Sequence, residues 1–278
     1  MIGRQRLYVT PLEMRKLLAS CGYRTSEAEL VDICEGAAGY AESFFRFLGA
    51  ENTDSFDYSD YEGPSHTHDM NEPIPVEFKE SYTVVLDGGS LEHVFNFPVA
   101  IKNCMEMVKV GGHYLAITPA NNFFGHGFYQ FSPELYFSVL SEDNGFAIDK
   151  MIAFEEVEKP AWYAVKNPRD VSERVTLSNS WPVYLLVIAK KTARHPIFAQ
   201  MPQQSDYLAL WQAKQAAPAV DGGSGEAPRR PLPIRVAKTF LPPGIRRLIR
   251  GALEGRATKP QGFDARFFER MDWPEARR

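Results

Sequence analysis

The run YTVVL at residues 82–86 constrains the fold more than any other stretch of this sequence. Its aromatic and β-branched residues predict a buried central strand, and Asp87-Gly88-Gly89 directly after it predicts a turn. Strand-like and helix-like patterns alternate on both sides of it. We predict strands at residues 30–33, 54–58, 65–68, 82–86, 113–118, 147–155 and 183–190, and helices at 10–23, 40–48, 97–108 and 132–141. This alternation predicts an α/β fold with a doubly wound, mostly parallel sheet. The last two strands, which no helical pattern separates, are expected to pair antiparallel at the sheet edge.

The 278 residues divide by composition into a body and a tail. We expect an N-terminal helical segment at 1–27, an α/β domain at 28–201, a Pro/Gly-rich linker at 202–233 and a basic helical tail at 234–278. From Gln203 onward there are 14 Lys and Arg against 8 Asp and Glu, whereas the preceding residues hold 17 and 27. An acidic body argues against nucleic acid as a partner.

The tail leaves several partners open. Ile245, Leu248, Ile249 and Leu253 fall at helical spacing beside arginines, so this helix is expected to dock onto the acidic body or to make weak contact with a membrane surface. A homodimer contact is a further alternative. The three cysteines have no paired spacing, which favours reduced thiols and a cytoplasmic protein. The first ten residues lack the apolar core of a signal peptide.

Residues 31–39 (VDICEGAAG) have the pattern of a phosphate- or nucleotide-contacting turn. A predicted strand ends in small residues, a helical pattern follows, and the next strand ends at Asp57. Small residues let backbone N–H groups approach a ligand, and a carboxylate one strand over can accept ribose hydroxyls. Alanines interrupt the usual glycine spacing, so the turn is expected to be reshaped, because alanine at positive φ is costly.

Taken with FDYSD, HDMNEP, YTVVLDGGSLEHVFN and MVKVGG, this turn makes residues 28–191 resemble the class I methyltransferases that use S-adenosylmethionine (SAM). The resemblance implies a Rossmann-like methyltransferase fold and SAM as cofactor. The stretch NNFFGHGFYQFSPEL is also similar to methyltransferase-domain proteins encoded with bacterial surface-polysaccharide genes. That similarity implies a role in polysaccharide biosynthesis, with a small molecule or a sugar as acceptor.

The resemblance also assigns roles to residues. It places Gly36 and Gly39 beneath the methionine part of SAM, and Glu35 either pairs with the methionine ammonium or caps the helix. It implies that Asp57, with Tyr58 beside it, holds the ribose. The remaining cofactor contacts that it implies are Asp69 and Met70 at the adenine, and Asp87 and Gly88 beside the transferring methyl group.

Two histidines are candidates for the chemistry. His93 follows the fourth strand and His126 lies in a glycine-flanked loop after the fifth, and the pKa range of imidazole suits a base that takes a proton from a hydroxyl or an amine. Structural roles in the helix or the loop are the alternatives. Asn121 and Asn122 either bind acceptor hydroxyls or cap the loop. The HTHD sequence at 66–69 lacks a second ligand spacing, so no metal site is predicted.

Three functions therefore stand side by side. The first is SAM-dependent methyl transfer to oxygen or nitrogen of a small molecule or sugar. The second is a catalytically inactive methyltransferase-like protein that binds or scaffolds, which the degenerate glycine turn favours. The third is another nucleotide-binding enzyme such as a dehydrogenase, against which stands the lack of a clear GxGxxG sequence.

Overall fold

A computed structural model describes residues 1–171, 174–207 and 262–271. The helices are α1 (Pro11–Ser20), α2 (Glu27–Glu35), α3 (Glu42–Phe47), α4 (Phe97–Met107), α5 (Pro133–Val139) and α6 (Pro168–Val171). The strands are β1 (Phe56–Asp57), β2 (His66–Thr67), β3 (Tyr82–Asp87), β4 (Val108–Asn121), β5 (Phe146–Glu155), β6 (Trp162–Val165), β7 (Val183–Lys191) and β8 (Phe268–Met271). Among the described residues, no helix is long and apolar enough to cross a lipid bilayer.

The strands form one continuous sheet because residues 1–3 join its two parts. Ile2 pairs in parallel with both Phe56 of β1 and Asp87 of β3. The N–H of Ile2 donates to Leu86 O at 2.8 Å, and the N–H of Gly3 donates to Phe56 O at 2.8 Å. The spatial order is therefore β2, β1, residues 1–3, β3, β4, β7, β5, β6, β8.

The sheet is mixed, which corrects the prediction of a mostly parallel one. The first five members are parallel, but β7 pairs antiparallel with both β4 and β5, and the pairs β5–β6 and β6–β8 are antiparallel as well. The antiparallel pairing of the two late predicted strands is confirmed. Its expected place at the edge is wrong, since β7 lies inside the sheet and its alternate residues are fully buried.

Residues 30–33 form part of helix α2, so the predicted strand there is wrong. Ser26 caps the helix by accepting the Glu29 N–H on its hydroxyl, and the Glu29 carboxylate accepts the Ser26 backbone N–H. Leu30, Ile33 and Cys34 are buried at helical spacing, and they pack with α1 in a small hydrophobic cluster separate from the main core. Three apolar residues in a run of four fit either element, and the capping pair decides for a helix.

The main core lies around the sheet and under α4 and α5. Its largest fully buried side chains include Tyr114, Tyr136, Phe56 and Phe146. The described part of the predicted basic tail, residues 262–271, contains strand β8, and Phe263 stacks on Tyr163 with ring centroids 3.9 Å apart. The linker and the predicted helix around Ile245 and Leu253 lie outside the described residues.

Candidate active site

The carboxyl edge of the sheet gathers most of the predicted site residues. From residues 1–3 the chain leads to β1 and β2 on one side of the sheet, and β3 and β4 then lie on the other side. In an open sheet of parallel strands, the place where the strand order reverses in this way opens a crevice outside the carboxyl ends of the strands. The strand order therefore predicts a crevice above Gly3 and Asp87.

On one side of the crevice lie Asp57 and Asp69, after β1 and β2. Asp57 is half-buried, and its carboxylate accepts the Ser59 N–H at 3.5 Å. Asp69 Oδ1 accepts the backbone and side-chain N–H groups of Asn71 at 2.9 and 2.7 Å, which lowers the pKa of that carboxyl. Tyr58 is 74% exposed, whereas Met70 is buried in the core.

The crevice itself is narrowed by Gln5 and Ser90. A Cβ on Gly88 would lie 2.4 Å from Gln5 Oε1, so the Gln5 amide packs directly on the Gly88 backbone. Gln5 Nε2 donates to Ile2 O at 3.0 Å, and Ser90 Oγ donates to the same carbonyl at 2.8 Å. These two side chains line the space nearest to the end of β3.

Asp87 is fully buried at the end of β3. Its Oδ1 accepts the backbone N–H of Ser90 at 2.8 Å and that of Leu91 at 3.3 Å, while Oδ2 has no hydrogen-bond partner in the described ranges of the chain. Burial is the main cause that raises the pKa of Asp87 to about 7, and the nearby carboxylate of Glu92 adds to it. Asp87 therefore belongs to the buried floor of the site and offers no exposed oxygen to a ligand.

Glu92, His93 and His126 form a compact cluster beside the crevice. Glu92 is 1% exposed, and its Oε1 lies 3.4 Å from His126 Nε2. The rings of His93 and His126 lie 5.0 Å apart between centroids, and both histidines are exposed. The two histidines predicted as catalytic therefore lie together, and they share a buried carboxylate as neighbour.

The loop that carries His126 is fixed onto Glu92. Glu92 O accepts the N–H groups of Phe128 at 2.8 Å and of Tyr129 at 3.3 Å. A Cβ on Gly127 would lie 2.8 Å from Glu92 O, so only glycine allows this approach. The backbone contacts thus hold His126 over the Glu92 side chain.

Aromatic residues surround the histidine cluster. Phe95 and Phe128 are 72% and 64% exposed and meet edge to face at 5.7 Å. Tyr129 Oη donates to Phe95 O at 2.6 Å, which joins the loop to the segment after His93.

Asn121 and Asn122 bind other parts of the protein. The side-chain amides of both donate to Asn179 Oδ1, at 2.8 and 3.0 Å, and Asn122 also donates to Trp181 O at 2.9 Å. These bonds hold the loop after β4 in place. Of the two predicted roles, they correspond to the capping of the loop.

Glu35, Gly36 and Gly39 do not lie at a strand end. They occupy the end of α2 and a 3₁₀ turn (Gly36–Gly39) in which Ala37 and Ala38 adopt positive φ values of 50° and 58°. The predicted nucleotide-binding turn after a strand is therefore wrong at this place. The segment that leaves the central position of the sheet is Gly3 to Arg6 instead.

Sequence reasoning missed Glu92 and Gln5. Glu92 belongs to the LEHV stretch, and nothing in that stretch indicates that its glutamate is buried. Gln5 lies in a segment without strand periodicity, since only residues 1–3 enter the sheet. One signal was present, because Gly88-Gly89 and Gly127 mark close backbone approaches on either side of the site.

Together these features define an α/β protein with a mixed sheet and a polar crevice at its switch point. No described protein family and no curated protein matches the sequence. Several solved structures are similar to it, among them the following three. A candidate methyltransferase from Bacillus halodurans C-125 is 13% identical and has a TM-score of 0.38, over 56% of this chain and 89% of that chain.

The second similar structure is the MccD protein, which is 12% identical with a TM-score of 0.36, over 57% of this chain and 87% of that one. The third is a protein described for the conversion of a disulfide bond into a thioacetal group during echinomycin biosynthesis. It is 10% identical with a TM-score of 0.33, over 77% of this chain and 91% of that one. At these TM-scores the similarities carry no argument about activity.

Proposed function

We propose that the protein is an SAM-dependent methyltransferase that modifies an oxygen or nitrogen of a small molecule or sugar. The observation that carries the proposal is the arrangement around the crevice. Two carboxylates, Asp57 and Asp69, lie at adjacent strand ends on one side, and the Glu92–His93–His126 cluster follows β3 on the other. A nucleoside and an acceptor can thus be held on opposite sides of one crevice.

The nucleoside half of SAM fits the residues present. Asp57 accepts one long hydrogen bond from Ser59 and keeps acceptor capacity for the ribose hydroxyls. Both bonds from Asn71 go to Asp69 Oδ1, which leaves Oδ2 to accept from the adenine amino group. The exposed Tyr58 ring can lie against the nucleoside. When bound, SAM supplies an electrophilic methyl group.

The methionine half fits less closely. Glu35, Gly36 and Gly39 are not at the sheet edge, and the Gln5 amide covers Gly88. We propose that the Gln5 side chain turns away from Gly88 when the cofactor binds. Three rotatable bonds make such a rearrangement inexpensive, since within the described residues the Gln5 side chain makes one hydrogen bond, to Ile2 O.

His126 and Glu92 give the acceptor side a base. Glu92 Oε1 near His126 Nε2 favours the tautomer that carries its proton on Nε2, so Nδ1 keeps the lone pair that accepts a proton from the acceptor hydroxyl or amine. The buried carboxylate then stabilises the imidazolium that forms. The loop contacts to Glu92 O hold the ring in place, which is what an in-line displacement needs from the enzyme.

We propose a sugar as the preferred acceptor, in keeping with the surface-polysaccharide resemblance. The exposed rings of Phe95 and Phe128 stand beside the histidines, and such faces can pack against the C–H face of a sugar ring.

Titration calorimetry with SAM and with its demethylated product tests the cofactor proposal. We expect both to bind, and Asp57→Ala to cost about 2–4 kcal/mol of affinity, because two charge-assisted hydrogen bonds to ribose are lost. The exposed Asp60, also at this end of β1, provides the matched control Asp60→Ala, which is expected to bind normally. Equal affinity of the Asp57 and Asp60 variants would refute the assignment.

A second candidate function is that of a binding or scaffolding protein whose methyltransferase-like fold no longer holds SAM. The Gln5 amide on Gly88 and the missing glycine turn favour it. Here neither SAM nor its product would bind at millimolar concentration, and Gln5→Ala would not restore binding. Heat on titration of the unaltered protein would exclude this candidate.

A further inference from the structure

We propose that Glu92, His93 and His126 bind a divalent transition-metal ion. Two imidazoles and one carboxylate are the ligand set of open zinc sites and of mononuclear iron sites, where the remaining positions are left for water or substrate. No metal site was predicted from the sequence, since only the HTHD stretch was considered for one, and helix α4 and strand β4 separate Glu92 from His126 along the chain. The fold brings them together.

The spacing of the ligand atoms suits a single ion. One ligand atom from each of the three residues lies within 4.8 Å of the others. Ligands at about 2.0–2.2 Å from a tetrahedral ion are about 3.4 Å apart, and Glu92 Oε1 already lies 3.4 Å from His126 Nε2. His93 is exposed and its ligand atom lies within 4.8 Å of the other two, so its ring has room to turn toward an ion.

The burial of Glu92 is an independent observation that points to a cation. The residue is 1% exposed, and its Oε2 has no hydrogen-bond partner within the described part of the chain. Taking a carboxylate out of water costs several kcal/mol unless it is paired. Asp87 nearby is a second buried carboxyl with an unpartnered oxygen. A bound cation would compensate this concentration of acidic oxygen.

The site is also built rather than accidental. Gly127 approaches Glu92 O so closely that no side chain fits between them, and two backbone N–H groups hold the loop there. The loop therefore presents His126 to Glu92 at a fixed distance. A Cβ on Gly89 would lie 3.2 Å from Glu92 Oε1, so the carboxylate is confined from that side as well.

The metal site itself does not depend on the proposed methyl transfer. The role of the ion in the reaction does rest on that proposed function. With an ion bound, the imidazole lone pairs used as ligands no longer accept protons. The ion would instead coordinate the acceptor oxygen and lower its pKa. The O–H bond breaks, its electron pair stays on the oxygen and the proton passes to water.

Cobalt titration of the whole chain tests this proposal. The protein is first dialysed against EDTA, and Co²⁺ is then added while the visible d–d bands are recorded, with Zn²⁺ competition measured by calorimetry. We expect one ion per chain, and at least a 10-fold loss of affinity in His126→Gln and His93→Gln. Both histidines are exposed, so these variants are expected to fold, which circular dichroism checks. Glu92→Gln is a third variant.

The matched control is His68→Gln, because His68 is a histidine from the HTHD sequence that has no part in the cluster. It is expected to bind cobalt like the unaltered protein. No binding up to 1 mM Co²⁺, or binding lost in His68→Gln and kept in His126→Gln, would overturn the proposal. SAM titrations of the EDTA-treated protein separate the metal proposal from the proposed function. Cobalt binding without SAM binding would support only the metal site, and SAM binding without cobalt binding would support only the cofactor site.

Discussion

The buried carboxyl of Asp87 makes a specific prediction about stability and pH. Its Oδ1 is held by two backbone N–H groups, while Oδ2 is buried and has no hydrogen-bond partner among the described residues. Burial raises its pKa from the ordinary 3.8 to about 7. The folded protein therefore holds a proton on Asp87 that the unfolded chain has already lost at pH 5.

The sign and size follow from this difference. Below pH 3.8 the carboxyl is protonated in both states, and above pH 7 it is ionised in both. Between these values the folded state binds more protons than the unfolded state. The free energy of unfolding therefore falls by about 1.4 kcal/mol for each unit that the pH rises. The total is about 4 kcal/mol, of which about 2.5 kcal/mol is lost between pH 5 and pH 8.

Asp87→Asn removes this dependence, because the amide keeps an oxygen for the two N–H groups and has no charge to bury. Urea denaturation from pH 5 to pH 8, in EDTA, measures the difference in unfolding free energy between variant and unaltered protein. From pH 5 to pH 8, we expect the unfolding free energy of the variant to increase by about 2.5 kcal/mol relative to that of the unaltered protein. Asp60→Asn, at an exposed position, should give a constant difference. A parallel profile for Asp87→Asn would refute the reasoning.

Two further predictions concern backbone conformation. Ala38 is exposed with φ 58°, and since this conformation costs an L-residue roughly 1–2 kcal/mol, Ala38→Gly should stabilise the fold by about 0.5–1 kcal/mol after the added entropy of the unfolded glycine. Ala19→Gly within α1 is the opposite control, with a loss of about 1 kcal/mol in the same denaturation assay. Gly127→Ala should destabilise by about 2–4 kcal/mol, because positive φ and the contact with Glu92 O both oppose a Cβ. A change below about 0.5 kcal/mol would show that the loop is not held onto Glu92.

Strong periodicity predicted the central elements well. The strand at β3 and the helices α1, α4 and α5 are confirmed within a few residues, because each combines an apolar pattern with a local start signal. The order of the strands was beyond reach of such patterns. A strand buried on both faces reads alike whether its neighbours run parallel or antiparallel, so the interior position of β7 depends on tertiary pairing.

The misplaced first motif has a physical explanation. The run 30–33 is apolar enough for a strand, but the capping pair Ser26 and Glu29 starts helix α2 just before it, and α1 offers the apolar surface that Leu30 and Ile33 cover. The central position of the sheet is taken instead by residues 1–3, too few for any periodicity to register. Both errors concern where the chain enters the sheet. They explain why Glu35, Gly36 and Gly39 were predicted at the crevice, although the structure places them away from it.

The acceptor side is different, because its essential feature is a contact and not a pattern. His93 and His126 were named from their places after two strands, and the fold does bring their rings together. In the proposed function the pair depends on Glu92, whose carboxylate is buried with one oxygen 3.4 Å from His126 Nε2 and the other without a hydrogen-bond partner in the part of the chain described. A free base and a metal centre both use that carboxylate. Glu92→Gln should therefore impair the site under either mechanism, whereas only the metal-dependent one requires His93 as well.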